Sequence, residues 1–346
     1  MSLEATEPLI PPDLGTRLRM RAGADQRLEL MPPASELDLP DDTAARQYMD
    51  FCSIEPEDQA AMLAARPDPA RNPDWWWLLR GTVAELRSRM DQTLSADGFR
   101  AWPTVPRGSG TVGMFLYAWS LLSVVPDVLE LHRHRGVPES VSRATLLDLG
   151  GVMNTHHQVT GKRGVGLFPL WGPPQSFSGI NYTLGRHAFT RADLAIGGVA
   201  GYALLVHIPP FGPMHDEDSR ESMDRAIEFF AAHFPEQPIA ALVCKSWTLD
   251  PQLADYLEPD SNLVRFQRRF ELLPQLPTGD ESAGDREMMR HGLDLEPPFE
   301  GALSDTDLGR VPQRTTLQRA FVDHIRSGRH WHNRTGIIWL LSDRPR

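Results

Sequence analysis

Two short, nearly continuous apolar runs constrain this chain most: YALLVHIPP, starting at Tyr202, and IAALVCKSW, ending at Trp247. Runs of this length without polar alternation suit strands covered on both faces, as in parallel pairs. Between them lies SRESMDRAIEFFAAHF (219–234), where Met223, Ile227 and Phe230 recur at helical spacing. A strand, loop, helix, strand unit of this kind crosses over right-handedly and lays its strands side by side in parallel. The stretch 202–247 therefore predicts the centre of a sheet, with a loop and a helix entering at one end of it.

The surrounding text of the second half is mixed. INYTLGRHAFTRADL (180–194) alternates as a strand should, and LDPQLADYL (249–257) reads as a short helix. SNLVRFQRRFELL (261–273) alternates and predicts another strand, with Arg265 and Arg269 on one face and Arg268 on the other. An acidic loop is expected over PTGDESAGDRE (277–287), then a helix in TTLQRAFVDHIRSG (315–328) and a final strand in TGIIWLLSD (335–343).

The first half reads differently. Residues 1–40 are proline-rich and acidic and predict an irregular arm. From Asp41 to about residue 163 the patterns are helical: DDTAARQYMDFC follows an acidic cap, and EPEDQAAMLAA carries proline near a helix start. Trp75, Trp76 and Trp77 stand at successive positions, so they cannot share one helical face. The fold class expected is α+β, with an α/β-like second half: a helical domain over 41–163, then a mixed sheet flanked by helices over 164–346.

With 346 residues and 41% hydrophobic content, the chain is long enough for a core in each half. Its net charge of −11, with no basic block, argues against nucleic acid as a partner and against an anionic membrane surface. Two distant cysteines, Cys52 and Cys244, make no disulfide framework and point to a reducing, cytoplasmic setting. MSLEATEPLIPPDLG has no basic region ahead of an apolar run, so no secretory signal is expected. The long apolar run TVGMFLYAWSLLSVVPDVLEL holds Pro126 and ends in charge, as a packed helix would. The histidine pairs His132/His134, His156/His157 and His330/His332 lack partners at zinc spacing, so no metal is expected. Oligomeric state is not legible.

The order of elements, and above all the wording YTLGRHAF, HIPPFGPM, FFAAHFPEQP, VCKSWTLDPQLADYL and SNLVRFQRRF, resembles a bacterial family of acyltransferase domain-containing proteins. Members join a helical N-terminal domain to a GNAT-like C-terminal domain, and the likeness spans most of residues 40–346. The resemblance implies an acyl-CoA-dependent N-acyltransferase, with acyl-CoA as co-substrate and a small-molecule amine or peptide as acceptor. It places the thioester where the two central strands splay. CoA contacts would then fall along the loop and the next turn, at Ile208, Phe211, Gly212, Met214 and Trp247. Two departures stand out. GNAT enzymes hold the CoA pyrophosphate on backbone N–H groups after this strand, whereas here Pro209, Pro210 and Pro213 donate none and Asp216, Glu217 and Asp218 crowd the helix start. Lys245 also stands where the family pattern has a histidine.

Candidate chemistry gathers at the strand ends. His207 closes YALLVH and could accept a proton from an amine near neutral pH, or could simply bond the next loop. Cys244 on the paired strand could stand beside His207 as an acyl-accepting thiol, or could be an inert core residue. Ser246 shares the face of Cys244 and could protonate a leaving thiolate, while Lys245 should face the other way. His215 and Glu217 border the loop as a possible base pair or a solvated cap. Three readings result: an N-acyltransferase with His207 as base and Ser246 as acid; a GNAT-like ligand- or partner-binding protein without turnover; and an enzyme using Cys244 as nucleophile. The first is the one adopted.

Overall fold

After a single helical turn at Leu14–Arg17, Asp41 starts the helix Asp42–Phe51: its carboxylate accepts the Ala44 N–H at 2.8 Å, satisfying a donor the helix cannot satisfy itself. In the computed structural model, residues 14–18, 37–95, 101–196, 198–209, 212–275, 279–298 and 300–340 are described. They divide into two compact units at Tyr182/Thr183.

Unit 1 is helical: α1 (Asp42–Phe51), α2 (Pro56–Ala64), α3 (Pro73–Ser88), α4 (Gly110–Ser123), α5 (Val125–His134), α6 (Glu139–Leu146), α7 (Asp148–Thr160) and α8 (Gly172–Ser176). Helix α4 is buried on every side from Gly113 to Ser123, which explains its unbroken apolar text. The stretch Gly110–His134 is long and apolar enough to span a membrane, but 78% of its most apolar window is buried inside the unit. Polar groups are matched inside this core: Thr82 Oγ1 lies 2.7 Å from Ser120 Oγ, and the Trp119 indole N–H donates to Met62 O at 3.1 Å. Trp75, Trp76 and Trp77 are all half-buried against the same core, so the tryptophan run wraps one helix edge.

The division of the chain falls later than residue 163. Residues 164–170, which read as the start of the second domain, pack in unit 1: Val165 N–H and Gly166 N–H donate to Met114 O, and Trp102 bridges Leu170. Loop punctuation marks a chain reversal here, not a domain boundary.

Unit 2 is built on a six-stranded sheet of order β1-β2-β3-β4-β6-β5. Strand β1 (Asn181–Leu184) straddles the division and turns at Gly185–Arg186 into β2 (His187–Ile196), so the stretch read as one strand is two. β2 pairs antiparallel with β3 (Val199–His207), which pairs parallel with β4 (Ile239–Ser246). Helix α9 (Asp216–His233) makes the crossover. The central unit is thus as its apolar runs require.

The stretch SNLVRFQRRFELL departs from expectation. It forms α10 (Asn262–Gln267) and only a two-residue strand, β5 (Glu271–Leu272). The helix buries Val264 and Phe266, and the Gln267 amide donates to Thr248 O and Asp250 O, both at 2.8 Å. These tertiary contacts outweigh a strand-like alternation. The short helix expected after β4 is two 3₁₀ turns, Trp247–Leu249 and Pro251–Asp255. The acidic stretch 277–287, expected as a loop, contains the start of α11 (Ala283–Gly292). Then follow α12 (Asp305–Gly309), α13 (Thr316–Arg326) and β6 (Arg334–Trp339), antiparallel to β4 and β5. A second core forms here from Leu253, Met288, Met289, Phe321, Val322 and Trp331.

Candidate functional site

Strands β3 and β4 pair through Leu205↔Val243, although β3 continues to His207 and β4 to Ser246. Beyond that register β4 stays paired with β6, through Ser246↔Arg334. The parallel pair therefore parts at its carboxyl end, leaving the last two residues of β3 and three of β4 facing a gap.

Alternation sorts the side chains around that gap. Leu205 and Val243 are partners and share a face, so His207 and Lys245, two residues on, lie on that same face. Cys244 and Ser246 take the opposite one. The expected His207–Cys244 dyad does not form, and Lys245, exposed, is on the side of His207. Parallel strands in register bring i with j, and the sequence alone does not give the register.

His207 donates or accepts a hydrogen bond across the sheet, its Nε2 2.9 Å from Thr190 Oγ1. Burial lowers its pKa to about 4, so the ring is neutral at pH 7. Cys244 is 1% exposed, and burial pushes its thiol up to about 12. It faces packed core: across the ladder from it, a Cβ on Gly336 would come within 2.7 Å of Phe270 Cβ and 3.0 Å of Leu249 Cδ1. Such a thiol supplies no thiolate near neutrality. The Ser246 hydroxyl oxygen accepts the Thr248 N–H at 3.1 Å and lies 3.0 Å from Thr248 Oγ1, which makes it the cap of the first 3₁₀ turn. Asp250 caps the second through the Gln252 N–H at 3.0 Å. Trp247 is half-buried on the second core, with its ring against Gly292, where a Cβ would come within 2.7 Å.

The loop after β3 is organised by a residue that sequence reading passed over. The Arg186 guanidinium donates to three of its carbonyls: Pro209 O at 2.9 Å, Pro213 O at 3.1 Å and Gly212 O at 3.3 Å. With those carbonyls gathered on Arg186 and Gly212 in the left-handed region (φ +70°), the N–H groups of Gly212, Met214 and His215 donate to no backbone acceptor among the described residues. The first-turn donors of α9 follow directly, so backbone N–H groups are present at this loop despite the prolines. Its charge is balanced as well. Arg269 donates to Asp216 Oδ1 at 2.6 Å and holds that carboxyl below its usual range. Asp218 lies near Arg186 and offsets the lowering of its pKa by burial. The acidic start of α9 is thus no simple barrier to an anion. An open groove of about 250 Å³ runs beside this loop, lined by Leu184, Gly185, Arg186, Asp218, Ser222 and Arg225 among others. Ile208 and Met214 are half-buried on the loop, whereas Phe211 lies outside the described residues. Only the arginine's place in the β1–β2 turn, directly after a glycine, could have signalled its role.

Among the described residues no three His, Cys, Asp or Glu side chains are grouped so that they could hold a metal ion. His132 Nδ1 lies 2.9 Å from Ser142 Oγ, and His156 accepts the Leu167 N–H while its other nitrogen meets Lys162 O.

Two family models match the chain: an N-acyltransferase N-terminal domain over residues 43–179 and a GNAT-like C-terminal domain over residues 182–338. Among solved structures, an acyltransferase in complex with decanoyl-CoA and teicoplanin is 30% identical, with a TM-score of 0.80 over 95% of this chain and 98% of that one. An acyltransferase in complex with CoA and 10C-teicoplanin is likewise 30% identical, with a TM-score of 0.81 over the same shares. An acyltransferase in complex with decanoyl-CoA is 32% identical, with a TM-score of 0.78 over 95% of this chain and 99% of that one. No curated protein matches the chain.

Proposed function

From the premise that this chain belongs to the acyltransferase family joining an N-acyltransferase N-terminal domain to a GNAT-like C-terminal domain, we propose that it transfers a medium-length acyl group from CoA to an amine. The observation that carries the reading is the parting of β3 and β4 beyond Leu205↔Val243, with His207 at its rim. A thioester seated in that gap meets unpaired strand backbone, which supplies N–H donors for the oxyanion of the tetrahedral intermediate. The loop held by Arg186, with Ile208, Gly212 and Met214 on it, receives the CoA phosphates on its backbone N–H groups.

His207, neutral at pH 7 and oriented by Thr190, takes the proton from the amine as the N–C bond forms. As the intermediate collapses, the C–S bond breaks and that proton passes to the CoA sulfur. Cys244 has no part in the chemistry, and Ser246 acts by capping the turn that follows β4. The acyl chain is of the octanoyl-to-decanoyl class and the acceptor is an amine on a peptide-derived molecule, by analogy with the ligands of the similar structures. The protein works in the cytoplasm.

The test is calorimetric titration with acetyl-, octanoyl- and decanoyl-CoA, then mass spectrometry of amines incubated with protein and the tightest ligand. Micromolar binding, about −8 kcal/mol, is expected for the longer chains. Failure of all three to bind sinks the reading.

A further inference from the structure

A second histidine in unit 2 is set up for proton transfer. Asp285, fully buried on the first turn of α11, accepts two hydrogen bonds: one from the Trp331 N–H at 2.8 Å and one from His330 Nδ1 at 2.6 Å. The close approach depends on Gly284, where a Cβ would come 2.0 Å from Trp331 O. The peptide of His330 is held from the other side. Its carbonyl accepts from the Gln252 amide at 3.0 Å and lies 3.2 Å from His324 Nε2. His324 in turn stacks on Trp331 with ring centroids 3.9 Å apart, and its Nδ1 lies 3.1 Å from the Tyr256 hydroxyl, which Arg329 also bonds. Next in the chain, the His332 N–H donates to Asp250 Oδ2 at 2.7 Å.

Every group around His330 is thus fixed except one. Nδ1–H is committed to Asp285, the side chain is 30% exposed, and no other bond to the ring is formed among the described residues. That leaves Nε2 as a lone pair open to solvent or substrate. A carboxylate behind an imidazole fixes its tautomer and stabilises the imidazolium that forms when Nε2 takes a proton. The pair also lies at the relevant end of the sheet. It precedes β6, which enters opposite Ser246 at the carboxyl end of β4, and β3 ends in His207 at that same end because the two strands are parallel.

We propose that Asp285 and His330 form a general-base dyad that deprotonates the acceptor ammonium before acyl transfer. The inference rests on the acyltransfer reading above and answers a need that reading leaves. An aliphatic amine arrives protonated at neutral pH and must lose two protons to become an amide. His330 Nε2 takes the first and returns it to water, leaving the neutral amine. The amine attacks the thioester carbonyl, His207 takes the second proton, the C–S bond breaks, and that proton ends on the CoA sulfur. The sum is amide, CoA thiol and one proton released. The titratable group against the dyad is His324, at the His330 carbonyl, with Tyr256 and Arg329 one bond further out and Asp250 bonded to the His332 N–H.

The test compares wild type with His330→Gln, His330→Ala and Asp285→Asn, using decanoyl-CoA and a panel of primary amines: an aminohexose, a short peptide and teicoplanin. Decanoyl-CoA binding by calorimetry serves as the control for folding. The expected result for His330→Gln is a 10²- to 10³-fold loss in kcat/KM with unchanged acyl-CoA affinity. Added imidazole should restore part of the rate to His330→Ala. A purely structural tie would not show the rescue. An unchanged rate in His330→Gln, or an intact His330→Ala that imidazole does not rescue, overturns the proposal. If wild type binds decanoyl-CoA but acylates none of these amines, the acyltransfer reading fails and takes the dyad with it.

Discussion

His207 and Thr190 face each other diagonally across the β2–β3 ladder, with Nε2 2.9 Å from Oγ1. Thr190 is fully buried, so its hydroxyl holds the imidazole from below and fixes which ring edge turns toward the gap between β3 and β4. Replacing His207 by Gln keeps a polar side chain but removes the base, and should cost about 10²- to 10⁴-fold in kcat with acyl-CoA affinity unchanged. Thr190→Val removes only the orienting hydroxyl and should cost about tenfold in kcat with KM for acyl-CoA constant. Steady-state kinetics on both variants check this. A kcat loss in His207→Gln smaller than in Thr190→Val would remove His207 from the mechanism.

Arg186 holds the loop after β3 by three carbonyls, so its removal should act on the cofactor and not on the chemistry. Arg186→Gln keeps at most one of those bonds. Hydrogen bonds from a charged donor are worth about 1.5–3 kcal/mol each, partly recovered by water at this half-exposed site. An acyl-CoA affinity lower by about tenfold is expected, with kcat at saturation little changed. Calorimetry together with saturation kinetics separates the two, and a variant with wild-type affinity would show that the loop does not hold CoA.

The parts of this fold that were legible from sequence are those with a pattern of their own. The runs at 202–207 and 239–247 are apolar without alternation, and they became the parallel pair. Legibility failed where a tertiary contact decided. Asn262–Gln267 alternates like a strand but folds as a helix, because Val264 and Phe266 fill the core while Gln267 ties down the turns after β4. The site failed in the same manner. His207, Cys244 and Ser246 each stand at the strand ends the sequence indicates, but the register decides their faces, and it separates His207 from the other two. Arg186 and Asp285 were missed because their partners are carbonyls and a histidine distant in sequence, and no local spacing encodes such pairs.

Cys244 is buried opposite Gly336 in the β4–β6 ladder, on the face away from His207, and should be silent in catalysis. Cys244→Ala is expected to retain full kcat and to lose about 1 kcal/mol or somewhat more of stability, from the small cavity it leaves. Thiol reagents should leave native protein unlabelled at Cys244 at pH 8, since burial holds its thiol near 12. A kinetic defect matching a stoichiometric loss of thiol would reverse this assignment.

Acid sensitivity follows from buried histidines. Burial lowers His132 to about 4 and His187 to about 3, the latter with Arg186 adding to the effect. Both therefore remain neutral in the folded chain down to pH 5, while the unfolded chain protonates them below about 6.5. The unfolded state binds more protons in that window, so stability present above pH 6.5 is lost as the pH falls toward 4. Between pH 6.5 and 5 each histidine removes about 2 kcal/mol. Asp148 works in the opposite sense: burial raises it to about 6, so the folded chain takes up its proton first and recovers part of the loss between pH 6 and 4. His187 offers a clean test, because its ring packs between Phe189 and Phe266, with centroids 6.3 and 5.6 Å away. His187→Phe should keep the pH 7 stability within about 1 kcal/mol and reduce the drop between pH 7 and 5 by about 2 kcal/mol, its own share beside those of His132 and His207. Urea midpoints measured across that range decide it, and a variant whose midpoints fall as steeply as wild type would place the acid sensitivity elsewhere.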